Sequence, residues 1–148
     1  MKLDDVGYNL IKSFEGLSLV PYKCQAGIST IGYGATFYPS SKKVTMQDAP
    51  ISLATAKWML KETADKFAAD VDKMIKANLN QNQFNAIVSL AYNIGLGGLA
   101  KSSLLKKVNA NPSDPTIRNS FLIWNKAGGR VLDGLTKRRT KEANLYFA

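Results

Sequence analysis

The sequence predicts an α+β fold, with a small β-containing N-terminal lobe, a long connecting helix and an all-helical C-terminal lobe. Three observations predict it. Residues 17–37 are β-branched and punctuated by Pro21, Gly27, Gly32 and Gly34, the texture of a small hairpin or meander. Residues 52–78 carry an apolar stripe at intervals of three and four, the mark of an amphipathic helix. From residue 84 onward, apolar residues recur at helical spacing in short bursts separated by glycine or proline.

Taken in order, Val6, Leu10, Ile11 and Phe14 form one face of an opening helix that stops at Glu15-Gly16. Ile28-Ser29-Thr30-Ile31 is the β-branched centre of the next segment, and residues 38–43 read as a loop. Leu53, Ala56, Leu60, Ala64, Phe67, Val71 and Met74 make the long stripe, opposite a polar face rich in lysine and acid. Phe84, Ile87, Val88, Ala91 and Tyr92 define a further helix, stopped at Asn93-Ile94-Gly95 and the following Gly97-Gly98. Ser102 or Ser103 caps a brief helix through Val108. Asp114 is read as the cap, and Pro115 as the first residue, of another helix carrying Ile117, Phe121 and Trp124 as far as Ala127-Gly128-Gly129. A basic helix over 135–146 ends the pattern.

The chain has 148 residues, 45% of them hydrophobic, enough to bury a core. It contains no histidine and one cysteine, Cys24. An internal disulfide, Cys/His zinc sites, histidine haem ligation and histidine-based hydrolysis are thereby excluded. Acid–base chemistry falls to carboxylates, Lys, Tyr, hydroxyls or the thiol. The net charge of +9 suits a polyanionic partner, although such an excess also serves solubility alone. Charged residues interrupt the first twenty positions, so no signal peptide is read there. No run approaches the ~18 apolar residues of a spanning helix.

Most carboxylates lie on helix faces beside lysines. Glu15 differs, because it stands between Phe14 and Gly16 where a helix passes into a β-segment. Eight residues separate it from Cys24, and five separate Cys24 from Thr30, within a stretch that ends Thr30-Ile31-Gly32-Tyr33-Gly34. This stretch resembles the signature of the phage-type lysozymes (endolysins of glycoside hydrolase family 24): a Glu, eight residues, an Asp or in some members a Cys, five residues and a Thr. The likeness continues through Gln83-Phe84-Asn85-Ala86 to Asn93-Ile94-Gly95, Ser103-Leu104-Leu105, Trp124, Ala127-Gly128-Gly129, Gly134-Leu135, Arg138-Arg139 and Glu142. Two positions depart from the pattern: Cys24 replaces the commoner Asp, and Ala35 a common His.

The resemblance implies a single lysozyme-like domain over 1–148. Its β-containing lobe would span about 12–60, its connecting helix about 60–78 and its helical lobe about 79–148, with the N-terminal helix packed against the last. It implies a muramidase that cleaves the β-1,4 bond between N-acetylmuramic acid and N-acetylglucosamine in peptidoglycan, for host-cell lysis. Glu15, Cys24 and Thr30 would be catalytic. An acid must protonate the departing oxygen while a second group activates water or faces the oxocarbenium-like centre. Thr30 would orient water. Cys24 would act as a thiolate, whether base, nucleophile or fixed charge, with Lys12 and Lys23, near in sequence, favouring its ionisation. Tyr92 and Ser103 would contact glycan, and Arg138 or Arg139 would steady Glu15. Gly32 and Gly34 would serve turn geometry and close approach of backbone to glycan.

Neither metal nor cofactor is implied. The implied partner is peptidoglycan, with no nucleic acid, no stable membrane insertion and no obligate oligomer. A monomer would accumulate in the host cytoplasm until a phage holin opens its route to the periplasm and wall. Two other classes compete: a glycan-binding module that has lost turnover through Cys24, and a basic nucleic-acid-binding protein. Against the latter, the lysines and arginines are dispersed and no aromatic–basic recognition motif is present. Trp58 and Trp124 read first as packing residues, with a sugar platform as the alternative.

Overall fold

A computed structural model describes all residues, 1–148. In chain order the elements are α1 (Asp5–Phe14), β1 (Ser18–Lys23), β2 (Ser29–Gly32), α2 (Leu53–Met74), α3 (Gln81–Ile94), α4 (Leu96–Lys101), α5 (Ser103–Ala110), α6 (Ile117–Leu122), β3 (Lys126–Ala127), β4 (Arg130–Val131) and α7 (Asp133–Tyr146). The predicted α+β class is the one observed. The chain forms two units, Tyr8–Lys66 on the one hand and Met1–Gly7 with Phe67–Ala148 on the other. The division falls inside both α1 and α2.

In the unit Tyr8–Lys66, β1 and β2 pair antiparallel, with Tyr22 opposite Thr30 and Lys23 opposite Ser29. The register then slips before Ser18 meets Gly32. Pro21 lies in the slipped stretch, where it has no N–H to give to a ladder. Ile31, Val44 and Met59 form the buried cluster, with Ala35, Tyr38 and Ile51 packed on it. Gly32, at φ 66°, faces Ala56 of α2, and a Cβ built there would stand 3.6 Å from the alanine Cβ. The loop after β2 is tied by Asp48. Its carboxylate accepts from the Tyr38 hydroxyl at 2.6 Å, the Thr45 N–H at 2.9 Å and the Thr45 hydroxyl at 2.7 Å. These donors, Tyr38 foremost, hold the Asp48 carboxyl down at about 2. Tyr8 of α1 donates its hydroxyl to Asp65 of α2, whose other oxygen lies 3.8 Å from Lys61.

In the other unit, α3 is buried continuously from Phe84 to Ala91 and packs on α7. Its start is a capping box: Asn80 accepts from the Gln83 N–H at 2.8 Å, and Gln83 accepts from the Asn80 N–H at 2.9 Å. The helical pattern is expected to reach about residue 78, but the helix stops at Met74, the last residue of the stripe that opens at Leu53. Asn109 of α5 explains the stop, because its amide accepts from the Lys76 N–H at 2.8 Å and donates to the Met74 carbonyl at 3.1 Å. These bonds take up backbone groups that another helical turn would need.

Several local expectations are corrected. Gly97 and Gly98 do not stop a helix but lie within α4. A Cβ at Gly98 would meet Ile94 and the Trp124 ring at an ordinary contact distance of 3.5 Å. The helix expected from Pro115 begins at Ile117. Asp114 instead closes the turn before it, accepting from the Thr116 N–H and hydroxyl at 2.9 and 2.7 Å. The short hairpin β3–β4, turning through Gly128 and Gly129 at positive φ, was not foreseen. Val6, assigned to the inner face of α1, is exposed, while Gly7 and Ile11 are buried.

Gly7 yields the first prediction. Replacing a helical glycine by alanine, even in a first turn such as that of Gly7, ordinarily stabilises by up to roughly 1 kcal/mol. Here the new methyl would stand 2.6 Å from Leu3 Cδ2 and 2.7 Å from Asn85 Oδ1. Asn85 is itself held by a 2.7 Å bond to Asp4. Gly7→Ala should therefore destabilise by about 1–3 kcal/mol in urea unfolding, with an unchanged m-value.

Candidate active site

Glu15 is the first residue beyond α1, with its N–H bonded to the Lys12 carbonyl at 3.3 Å. Its half-buried side chain lies against the turn that follows β2. A Cβ built on Gly34 would sit 3.2 Å from Glu15 Oε2, and Gly34 has φ 85°. Only glycine meets both conditions without strain or displacement of the carboxyl group. Two further bonds, in which Ile31 and Ala35 exchange N–H and carbonyl at 2.9 Å, close this turn.

Thr30 and Cys24 belong to the same hairpin. Cys24 follows β1, donates its N–H to the Ile28 carbonyl at 3.0 Å and accepts the Gly27 N–H at 2.8 Å. Thr30 is buried, and its hydroxyl donates to the Ile28 carbonyl at 2.9 Å. The Cys24 thiol is half-exposed and held below its ordinary range. Hydrogen bonding from the backbone of Ile28 is the main cause, followed by that of Ala26, with slight burial opposing and the Thr30 hydroxyl adding a smaller push. The hairpin turn, rather than Lys12 or Lys23, is what favours the thiolate.

Of the predicted site residues, Glu15, Cys24, Thr30, Gly32 and Gly34 thus share one unit. Tyr92, Ser103, Arg138 and Arg139 belong to the other. Tyr92, near the end of α3, is half-buried and packs on Phe67 with ring centres 5.3 Å apart. Ser103 is exposed at the first position of α5. Its neighbour Ser102 is the cap, accepting from the Leu105 N–H at 3.1 Å.

Arg138 and Arg139 point inward from α7 and are buried with Glu142. Arg138 Nε lies 3.3 Å from Glu142 Oε2, and its Nη2 donates to the Ser89 carbonyl at 3.2 Å. Arg139 Nε lies 2.7 Å from Glu142 Oε1, and its Nη1 donates to the Trp124 carbonyl at 3.3 Å. The Ser89 hydroxyl adds a 2.5 Å bond to Glu142. Burial pushes the Glu142 carboxyl upward and the Arg139 guanidinium downward, and their mutual attraction opposes both shifts. Glu142 and Ser89 were missed as parts of this cluster. The i+3 and i+4 spacing of Glu142 from the arginines was a signal for Glu142, whereas nothing in the sequence singles out Ser89.

The phage lysozyme family model matches residues 12–142. An endolysin of Bacillus phage B103 is 43% identical over 99% of this chain and 54% of its own length. Among solved structures, an endolysin from Escherichia coli O157:H7 phage FAHEc1 superposes with a TM-score of 0.90 at 37% identity, covering 99% of this chain and 93% of that one. The muramidase domain of SpmX from Asticaccaulis excentricus has a TM-score of 0.84 at 30% identity, covering 99% and 98%. The chain belongs to the phage lysozyme family. It spans about half the length of the first curated relatives it matches.

Two predictions arise from these geometries. Glu142→Ala leaves two buried guanidinium groups without their carboxylate and should cost about 3–5 kcal/mol, read from urea unfolding. For Cys24, alkylation by iodoacetamide should follow a thiolate titrating below the ordinary ~8.5. Thr30→Val should raise that midpoint slightly. An acid with a depressed native pKa contributes stability above its unfolded value and loses it as pH falls through the native value. The Cys24 contribution therefore disappears on the acidic side of ~8.5.

Proposed function

We propose that this chain is an endolysin-type muramidase that hydrolyses the β-1,4 bond between N-acetylmuramic acid and N-acetylglucosamine in peptidoglycan. The observation that carries the reading is the Glu15 carboxyl set against the left-handed Gly34 turn, on the same hairpin system as Thr30 and Cys24. Membership of the phage lysozyme family supports it.

Glu15 gives its proton to the departing glycosidic oxygen as the bond to the anomeric carbon breaks. Thr30 orients the attacking water. Its hydroxyl oxygen, which lies 2.9 Å from the Ile28 carbonyl, has lone pairs with which to accept from that water. Cys24, favoured as a thiolate by the hairpin amides, takes the second proton of that water as the new C–O bond forms. Proton exchange with solvent restores both groups. Tyr92 and Ser103 contact the glycan, and neither metal nor cofactor takes part.

The wall is the partner, and the protein works as a monomer. No helix is long and apolar enough to cross a membrane. In this reading the protein collects in the host cytoplasm and reaches the wall when a holin opens the membrane. The alternative is a wall-binding module without turnover, suggested by Cys24 at the usually acidic position.

On purified peptidoglycan, Glu15→Gln should remain folded and lose at least about a hundredfold in turnover, since general-acid help is worth ~10²–10⁴. Cys24→Asp should retain substantial activity and Cys24→Ser should lose most of it. Near wild-type rates in folded Glu15→Gln would remove Glu15 from the mechanism. A wild-type protein that binds walls without releasing reducing ends would establish the non-catalytic reading.

A further inference from the structure

Gln25, Ala26 and Gly27 lie between Cys24 and Ile28 in the connection from β1 to β2. All three are exposed, and Gly27 has φ 75°. A Cβ built on Gly27 would meet nothing within 4 Å, so close packing does not call for glycine here as it does at Gly7. The path of the backbone does. The Cys24 carbonyl accepts from the Gly27 N–H at 2.8 Å, and the Cys24 N–H donates to the Ile28 carbonyl at 3.0 Å. A β-turn is thus followed by one left-handed residue, which bulges the chain before the strands pair. Without the bulge, Cys24 and Ile28 would exchange both bonds, and the Ile28 N–H would go to the Cys24 carbonyl. Gly27 takes that carbonyl instead. The Ile28 N–H is left without a carbonyl partner, and the Ala26 N–H has none either.

Both of these N–H groups act on the Cys24 sulfur as hydrogen-bond donors, and the Thr30 hydroxyl adds a smaller contribution. Backbone amides turned toward one point in a tight turn make a concavity that holds an anion. Lys12, Lys23 and Glu15, the charged side chains near in sequence, are not among the groups that act on the thiol. What holds a thiolate here is therefore the direction of two amides, and the backbone angle of one residue sets that direction. We infer that Gly27 is a positioning residue for the cleavage reaction: its left-handed conformation releases the Ile28 amide from the hairpin ladder and, with the Ala26 amide, aims it at the sulfur that takes the proton of the attacking water. This rests on the muramidase reading with Cys24 as its base, and adds to it how an exposed thiol is kept ready to accept that proton.

The test reads the thiol directly, in the full chain. In Gly27→Val a β-branched side chain excludes the left-handed conformation, whereas Gly27→Asn admits it. Replacing the Ile28 amide by an ester deletes the N–H itself and removes no carbonyl bond of the hairpin, so it decides the matter even where Gly27→Val fails to fold. The pH midpoint of alkylation by iodoacetamide should move upward in Gly27→Val and in the ester, and keep its wild-type value in Gly27→Asn. The acidic limb of kcat/KM on purified peptidoglycan should move upward with it, because the base must be deprotonated. Turnover near neutral pH should then fall severalfold in the first two and return in Gly27→Asn. An unmoved midpoint in the ester would overturn the role of Gly27 and leave the muramidase reading standing. A midpoint that moves while the acidic limb stays in place would overturn it as well, since Cys24 would then take no part in the proton transfer. If the wild-type chain releases no reducing ends from walls, the muramidase reading fails and this role with it, whatever the midpoints show.

Discussion

The left-handed turn through Gly32 and Gly34 is the constraint on which the candidate chemistry depends. At Gly32 the backbone lies against Ala56, which fixes the distance between the hairpin and α2. At Gly34 it lies against Glu15 Oε2, which fixes where the carboxyl group can be. Both residues hold positive φ, where any side chain is strained. A side chain at Gly34 would also press on the acid, whereas at Gly32 it is the backbone angle that excludes one. The same few residues thus set the sheet on its supporting helix and aim the group proposed to donate the proton.

The hairpin also conditions its second functional group. Cys24 and Thr30 converge on the backbone of Ile28, one through its N–H and the other through its hydroxyl. That turn orients amide donors toward the thiol. Backbone donors held by a hairpin need no reorganisation as charge develops, whereas lysines on flexible stems do. A cysteine at the position usually occupied by an acid therefore has a local source of stabilisation for its anion. Exposure keeps that stabilisation modest, because water competes for the same charge.

The other unit is organised by a different device. Arg138, Arg139 and Glu142 bring three ionic groups into the interior of a helical body, where their hydrogen bonds to Ser89 and the Trp124 carbonyl are essential to their tolerance. Such clusters seldom add net stability over a well-packed apolar core, but they penalise every arrangement in which one member is missing. The cluster joins α3, α7 and the segment after α6 in one geometry. Asn109 does comparable work at the end of α2, where its two side-chain hydrogen bonds take up the Met74 carbonyl and the Lys76 N–H.

How much was legible follows from the range of the interactions involved. Apolar spacing marked α1, α2, α3, α5 and α6 as helices, a basic stretch marked α7, and β-branched residues among glycines marked the hairpin, because those signals reside within a few neighbouring positions. The spacing of Glu15, Cys24 and Thr30 was likewise local enough to suggest a family and a chemistry. The end of α2 at Met74, the partner of Glu142 and the outward face of Trp58 were decided by tertiary structure. Each depends on a group far away in the chain: Asn109 for Met74, Ser89 for Glu142, and the buried cluster around Ile31 and Val44 for the side of α2 that Trp58 was left to occupy. Sequence periodicity states that a helix has an inner face. Only the packed neighbours determine which atoms fill that face, where its hydrogen bonds are intercepted, and which large side chain remains in water.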